Sequence, residues 1–372
     1  MGRGEIRFEQ VLRLLPEGWE TKAKELGAFK RARGIKTAEE LLRLILLYLT
    51  EGKSFAGTSA ITRLTGEAEL NKMAVYNRIR KSGDWLQWLC EHICRRAGII
   101  ATKPLWLKNK KVKIVDGSEE VKCGVRRQCH ILHYSLDLFT LAAGELQVTD
   151  RKTGEKLANF KSFEKGDIVM GDRIYGNIPG IAYLRQRGAG YVLRINRRGF
   201  HLVNGRNQVI DLKERLSRLK EGKTADIWGK CAINGRYEPI RICALRKEAE
   251  SEKAGLKRIR KTNQRKHGGK AVTGEQRENN KYIMVATSLG KEASAAQVLE
   301  LYRLRWQIET AFKRLKSLFA YNDLPSRRED SVKAWFYGKL LLAALCETMV
   351  NTGRFSPSGA GAGPVHMRFA VS

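Results

Sequence analysis

The stretch Gly166–Arg197, GDIVMGDRIYGNIPGIAYLRQRGAGYVLRINR, reads as strand, helix, strand. GDIVMGD and GYVLRINR carry short apolar runs of strand type, and NIPGIAYLRQRG between them fits a helix. Upstream, KKVKIVDGS alternates and then ends in Asp-Gly. CHILHYSLDL and LAAGELQVTD are two further strand patterns, and KTGEKLANFKSF is a candidate helix. The order is therefore three strands, helix, strand, helix, strand. It predicts a mixed sheet with helices on its faces, in the α+β class.

Working outward, residues 1–104 read as helical, up to a boundary at Pro104. Thr37 and Glu40 form a capping-box pattern ahead of ELLRLILLYLT. A helix–turn–helix pattern follows: SFAGTSAITRL, a turn around Gly66, then NKMAVYNRIRKSG with Asn71 as its cap. In the second helix Met73, Val75, Tyr76 and Ile79 are expected inside, with Lys72, Arg78, Arg80 and Lys81 outside. Such a basic helix can enter a major groove, and a plain helical bundle gives the same pattern.

Residues 197–290 break the alternating rhythm. FHLVNGRNQVIDL, ADIWGKCAINGR, YEPIRICALRK and KYIMVATSL all read as strands, so this is a mainly β insertion. Within it, residues 246–270 hold ten Lys/Arg against three Glu and show no apolar periodicity, which predicts a mobile basic loop. Residues 291–351 return to helix, ending in VKAWFYGKLLLAALCETMVN. The Gly/Ala/Pro-rich residues 352–372 are expected to be disordered.

The chain has 372 residues, with 70 Lys+Arg against 39 Asp+Glu and a formal charge of +31. So large an excess repels itself unless a polyanion offsets it, which points to nucleic acid. No apolar stretch is long enough for a membrane span, and MGRGEIRF lacks a signal peptide's apolar core, so a cytoplasmic location is expected. The seven Cys follow no framework spacing. Cys90 and Cys94 in CEHIC sit one helical turn apart on an apolar face, as buried thiols rather than zinc ligands.

The helix Leu301–Lys316, LYRLRWQIETAFKRLK, carries the chemistry. With Tyr302 at zero, Arg305, Glu309 and Lys316 fall at about 300°, 340° and 320°. Leu301, Leu304, Ile308, Phe312 and Leu315 fill the adjacent sector, so the polar stripe borders the buried face and can reach into a cleft. A salt-bridge network of Arg, Glu and Lys would look the same. Asp116 ends KIVD and Asp172 ends IVMGD, and strand-terminal acids at a sheet edge are where sites form. Asp before Gly is also ordinary turn chemistry. With Glu309 they make three carboxylates from three separate elements. Such a set suits Mg²⁺ or Mn²⁺, and two ions about 3.5–4 Å apart can serve phosphodiester chemistry. On so basic a chain, nucleic-acid cleavage or strand transfer follows.

At these residues the sequence resembles the DDE transposases of bacterial insertion sequences, whose ribonuclease-H-like core is interrupted by a β insertion. The resemblance rests on DGS at Asp116, GDRIYGN at Asp172, and the spacing Y-x2-R-x3-E-x6-K met by Tyr302, Arg305, Glu309 and Lys316. It implies an N-terminal DNA-binding domain (1–104), a catalytic core split between 105–196 and 291–351, and the insertion at 197–290. It implies cut-and-paste transposition, with Asp116, Asp172 and Glu309 holding the metal ions. Tyr302, Arg305 and Lys316 would grip phosphates, Arg173 would touch a DNA strand, and a homodimer would hold terminal inverted repeats and target DNA. A catalytically inactive DNA-binding relative acting as a repressor, or a structure-selective nuclease, are the alternatives. Asp167 reads as a turn residue, and Asp137, Glu119 and Glu120 as possible supports of the site. His130 and His133 read as core or surface histidines, and Trp306 is not assigned.

Overall fold

The computed structural model describes residues 8–351, except 31, 51–53, 97–99, 124–127, 267, 306–322 and 325. Among the described residues six helices precede the first strand: α1 (Phe8–Leu12), α2 (Trp19–Glu25), α3 (Ala38–Thr50), α4 (Phe55–Leu64), α5 (Lys72–Arg80) and α6 (Gly83–Arg96). Helix α3 is apolar around most of its circumference, and Leu41, Leu42, Leu44, Ile45, Leu46 and Leu49 are all buried. It is therefore the centre of the bundle. Its N-terminus departs from a full capping box. The Thr37 hydroxyl accepts from Glu40 N at 3.0 Å, but the Glu40 carboxylate takes Lys36 N, one residue before the cap.

Asn71 caps α5 as expected, accepting from Ala74 N at 2.8 Å. Val75 and Ile79 are buried, whereas Met73 is 56% exposed, contrary to the inward placement expected for it. Two of the four outward cations are committed within the protein. Arg80 pairs with Asp330 at 2.5 Å, and Arg78 Nη2 donates to the Arg33 carbonyl at 2.7 Å. The reason is non-local: α5 packs on α12 (Glu329–Asn351), and the Tyr76 hydroxyl accepts there from Ser331.

The sheet strands are β1 (Val112–Cys123), β2 (Gln128–Asp137), β3 (Ala143–Asp150), β4 (Ile168–Gly171), β5 (Gly190–Arg194), β6 (Leu202–Val203), β7 (Val209–Ile210), β8 (Thr224–Ile233), β9 (Arg236–Arg246), β10 (Tyr282–Thr287) and β11 (Asp323–Leu324). They form one mixed sheet in the order β3-β2-β1-β4-β5-β10-β9-β8-β6-β7, with β11 on the far end of β1. Helix α7 (Ile178–Gln186) makes the crossover between the parallel strands β4 and β5. Asn177 caps it, accepting from Gly180 N. The candidate helix KTGEKLANFKSF is instead two single 3₁₀ turns, Arg151–Thr153 and Leu157–Asn159.

The insertion extends this sheet rather than folding apart from it. β10 pairs antiparallel with β5, then β9 and β8 follow as a hairpin. The hairpin turns on Asn234 and Gly235, both at positive φ, as a two-residue turn requires. α8 (Leu212–Ser217) and α10 (Gly274–Asn280) flank these strands. The expected mobile loop at 246–270 is a helix over most of its length, α9 (Ala249–Lys266). Its stripe of Glu252, Gly255, Leu256, Ile259 and Asn263 has helical spacing but docks mainly through polar groups. Asn263 Nδ2 donates to the Lys270 carbonyl and to Gln276, and Asn280 Nδ2 donates to the Glu252 carbonyl at 2.8 Å. A hydrophobic-period test does not register such a face. Early Glu250 and Glu252 also suit the helix dipole.

Helix α11 occupies residues 295–305 of the described chain. One apolar cluster joins α1, α3, α6, α11 and α12 to one sheet face, through Ile114, Leu132, Met170, Val192, Cys243 and Val285. Among the described residues that core runs across Pro104, from Ile100 to Leu107 and on into the sheet. A second cluster covers the other face with Val115, Val169, Leu193, α7 and β8. Cys90 and Cys94 are buried free thiols, their sulfurs 3.8 Å apart.

Candidate active site

The relation between the two aspartates comes from strand register. β1 and β4 run parallel, pairing Val112 with Ile168, Lys113 with Val169 and Ile114 with Met170. Carried two residues further, the same register sets Asp116 opposite Asp172, just past the end of β4. Neighbouring strands lie about 4.8 Å apart, so the two backbones are adjacent there. Side chains alternate between faces along a strand. Ile114 and Met170 belong to the cluster with α11 and α12, while Val115 and Val169 belong to the opposite one. Asp116 and Asp172 thus fall on the face that α11 covers. Asp116 does not end its strand, as its sequence suggested. β1 continues to Cys123, because β2 stays paired with it beyond Gly117.

Each carboxylate is oriented by a neighbour. Asp116 Oδ2 accepts from the Tyr134 hydroxyl at 2.8 Å, directly across the ladder. Asp172 Oδ1 accepts from Ile174 N at 2.8 Å, and its carbonyl accepts from Gly176 N at 3.0 Å, which folds DRIYG into a tight turn. Gly176 packs straight onto the Arg194 backbone at the end of β5, where a side chain would overlap the carbonyl. Among the described residues Asp116 Oδ1 and Asp172 Oδ2 accept no hydrogen bond.

Four charges surround one buried hydroxyl. Tyr175 is 1% exposed, with its ring edge-on to Phe160 at 6.1 Å. Burial first, then the negative charges of Glu155, Asp116 and Asp172, push its hydroxyl far above the usual phenol range, against a smaller opposing pull from Arg305. The Glu155 carboxylate fills the space beside Gly117, where a Cβ would come within 2.6 Å of its Oε1. Sequence reading missed Tyr134 and Glu155, since only pairing across β2 and the turn after β3 bring them in.

Arg173 follows Asp172 with an exposed side chain. The protein around its head group lowers its pKa to about 10, chiefly by desolvation and then by the Arg194 cation, while Tyr302 and Asp172 oppose the shift. Tyr302 and Arg305 lie inside, at 5% and 3% exposure. Arg305 Nη2 donates to the Tyr302 hydroxyl at 2.8 Å, and its guanidinium carbon stands 4.8 Å from the centre of that ring. They are a packed pair one helical turn apart, and their charges act on the turn after β4, Tyr302 on Arg173 and Arg305 on Tyr175. Glu309, Lys316 and Trp306 lie outside the described residues. Among the described residues no group of three or more His, Cys, Asp or Glu stands close enough to hold an ion.

The other candidates are structural. Asp137 is three register steps from the Asp116 pair and ties a turn, accepting from Phe139 N, Thr140 N and the Thr140 hydroxyl. Asp167 is more than a turn residue, for it forms a buried ion pair with Lys113 at 2.6 Å. His130 is buried against Arg327, and His133 bonds Thr149 with its pKa lowered to about 4 by burial. The side chains of Glu119 and Glu120 lie outside the described set.

Residues 142–345 match the Transposase DDE domain family. That span contains Asp172, Tyr302, Arg305, Glu309 and Lys316, and begins beyond Asp116. The chain is 31% identical over 356 residues to the transposase for insertion sequence element IS421 of Escherichia coli, covering 93% of this chain and 94% of the relative. It is 31% identical over 355 residues, with the same coverage, to the InsL protein of element IS186A from Escherichia coli K12. A transposase for element IS231F from Bacillus thuringiensis subsp. israelensis matches at 24% over 246 residues, covering 60% of this chain and 50% of that protein.

Proposed function

The chain belongs to the DDE transposases of insertion sequences, enzymes that cleave DNA and transfer its strands, and on that premise we propose that Asp116, Asp172 and Glu309 form its catalytic centre. The observation that carries this assignment is the β1–β4 register, which levels Asp116 with Asp172 on the face covered by α11. α11 is the described start of the stretch that holds Glu309 four residues past Arg305.

Membership in this family implies a divalent metal. The donor set fits one. Asp116 and Asp172 are hard oxygen ligands, each with one oxygen held by a neighbour and the other accepting no hydrogen bond among the described residues. We assign Mg²⁺ or Mn²⁺, as two ions, to these carboxylates with Glu309. When bound, the ions supply Lewis-acid activation of the attacking oxygen and stabilisation of the leaving one.

The chain's own groups supply orientation. Tyr134 holds the Asp116 carboxylate in one rotation, and the Ile174 amide holds that of Asp172. The Tyr302–Arg305 pair, Lys316 and Arg173 act on phosphate, Arg173 from the exposed turn and Arg305 by fixing Tyr302 toward the site. Residues 1–104 and the insertion contribute to holding the element ends, with double-stranded terminal inverted repeats and target DNA as substrates and a homodimer as the working unit. The reaction takes place in the cytoplasm, at the nucleoid. No helix among the described residues is long and apolar enough to cross a membrane.

The test is nicking of a supercoiled plasmid carrying the element with its flanks. Mg²⁺- or Mn²⁺-dependent nicks at the repeat boundary, abolished by Asp116→Asn, Asp172→Asn or Glu309→Gln with DNA binding intact, are expected. Retained nicking in any of these variants removes that residue from the catalytic set.

A further inference from the structure

The face that carries Asp116 and Asp172 continues across β5 and β10 to β9, and its C-terminal edge changes from acid to base. Val192 packs on the α11 side of the sheet and Leu193 on the other, so Arg194 returns to the α11 side at the end of β5. Cys243 and Leu245 also pack on that side, so Lys247 follows on the same face just past the end of β9. The ladder still holds there, since Lys247 N donates to the Lys281 carbonyl at 2.9 Å. In register Asp116, Asp172 and Arg194 form one row, and Lys247 stands four residues beyond Cys243, the β9 residue that β10 sets level with Arg194. Arg173 joins it from the turn after β4, and exposed Arg258 borders it from α9.

Among the described residues neither Arg194 nor Lys247 forms an ion pair, although Asp172 acts on Arg173 and Glu252 on Lys247 from a distance. Arg194 Nε is buried with no hydrogen-bond partner among the described residues. Among the described residues Lys247 Nζ reaches only a neutral acceptor, Asn280 Oδ1 at 3.1 Å. The carboxylate nearest in charge, Glu252, is taken by Arg246 at 2.9 Å. Lys247 is accordingly lowered to about 8, by desolvation first and then by Arg194 and Arg173, with Glu252 opposing and Arg258 adding to the shift. Like charges held together at half-buried positions cost stability, and a bound polyanion removes that cost.

We propose that Arg194 and Lys247 form a second phosphodiester subsite, continuing from Arg173, that holds DNA backbone beyond the scissile phosphate. It rests on the reading of Asp116 and Asp172 as the cleavage centre only for its place relative to the cut. The ligand chemistry itself, a run of backbone phosphates, follows from the cation row.

The experiment measures binding without metal, using a short random-sequence duplex, as a function of salt. Each phosphate that the protein no longer neutralises lowers the slope of log K against log salt by about 0.9. Arg194→Gln/Lys247→Gln should lower it by about 1–2 and weaken low-salt binding several-fold, with thermal stability equal to or above wild type. Lys247→Arg should keep the wild-type slope. Lys253→Gln/Lys261→Gln, which removes two exposed charges of α9, should lower it by less. An unchanged slope in the double variant, or an equal fall in the α9 control, overturns the subsite. Should the double variant unfold, Lys247→Gln alone decides by the same criterion. Cleavage is judged separately: Asp116→Asn should keep the full slope. A protein that never nicks but loses slope in the double variant would keep the subsite and sink the cleavage assignment.

Discussion

Replacing Gly176 with Ala probes how finely the Asp172 turn is seated. A Cβ at this position would overlap the Arg194 carbonyl oxygen and stand 2.7 Å from its carbonyl carbon, with the Asp172 carbonyl 3.4 Å away. Both obstacles are backbone, so no rotamer change relieves them. Either the turn or the end of β5 must move by about 1 Å, and a misplacement of that size at a reacting centre costs roughly 10²-fold in rate. The overpacking itself costs about 1–3 kcal/mol. The expected variant therefore folds, melts somewhat lower, binds DNA with the wild-type salt slope, and nicks plasmid about 10²-fold more slowly. Urea unfolding and initial nicking rates under saturating Mn²⁺ measure the two effects on one preparation. Wild-type nicking together with an unchanged unfolding midpoint would show that the turn is not seated on β5 as described. A rate loss fully explained by the unfolded fraction would show that the turn does not position Asp172.

Tyr134→Phe removes the donor to Asp116 Oδ2; it should raise the Mn²⁺ concentration for half-maximal nicking by about 10–100-fold while costing only about 1 kcal/mol of stability. An unchanged metal requirement would separate Tyr134 from the site. Lys113→Met alone should destabilise by about 3–5 kcal/mol, since it strands Asp167 in a buried ion pair. Lys113→Met/Asp167→Leu should recover much of that loss, and strictly additive losses in urea unfolding would contradict the pairing. The folded-state pKa of Lys247, about 8, lies below the ordinary 10.5. Below pH about 8 the lysine is charged in both states and the penalty is complete; between about 8 and 10.5 the unfolded chain binds the extra proton, so stability rises with pH. After screening at a half-exposed side chain the gain is about 1–2 kcal/mol. Lys247→Gln should abolish this rise, and an identical pH profile in that variant would refute the cation crowding.

The central succession of strands, the α7 crossover and the position of Asp172 at the end of its strand were legible because each has a local cause. An apolar run ends at an acid, a capped amphipathic helix follows, and a second run resumes. The Asn71 cap and the buried Cys90–Cys94 pair were legible for the same reason. α9 was not, because its packing face is polar: Asn263, Asn280 and the Glu252 carbonyl replace the apolar stripe that a periodicity search requires. Nor were the commitments of Arg78 and Arg80, whose partners Arg33 and Asp330 are remote in sequence.

The sequence by itself determined the chemistry class. A charge of +31 pointed to nucleic acid, and the resemblance carried by Asp116, Asp172 and the spacing of Tyr302, Arg305, Glu309 and Lys316 pointed to DNA cleavage and strand transfer. Tertiary structure decided which groups stand together. Strand pairing brings Asp116 and Asp172 level, sets Tyr134 against the first, and lines Arg194 and Lys247 along the same face. It also made Arg305, expected on the border of the buried face, a buried partner of Tyr302. The physical reason is that residue type and spacing act over a few residues, whereas register couples strands tens to more than a hundred residues apart and is fixed only when one sheet face must bury its side chains against a particular set of helices.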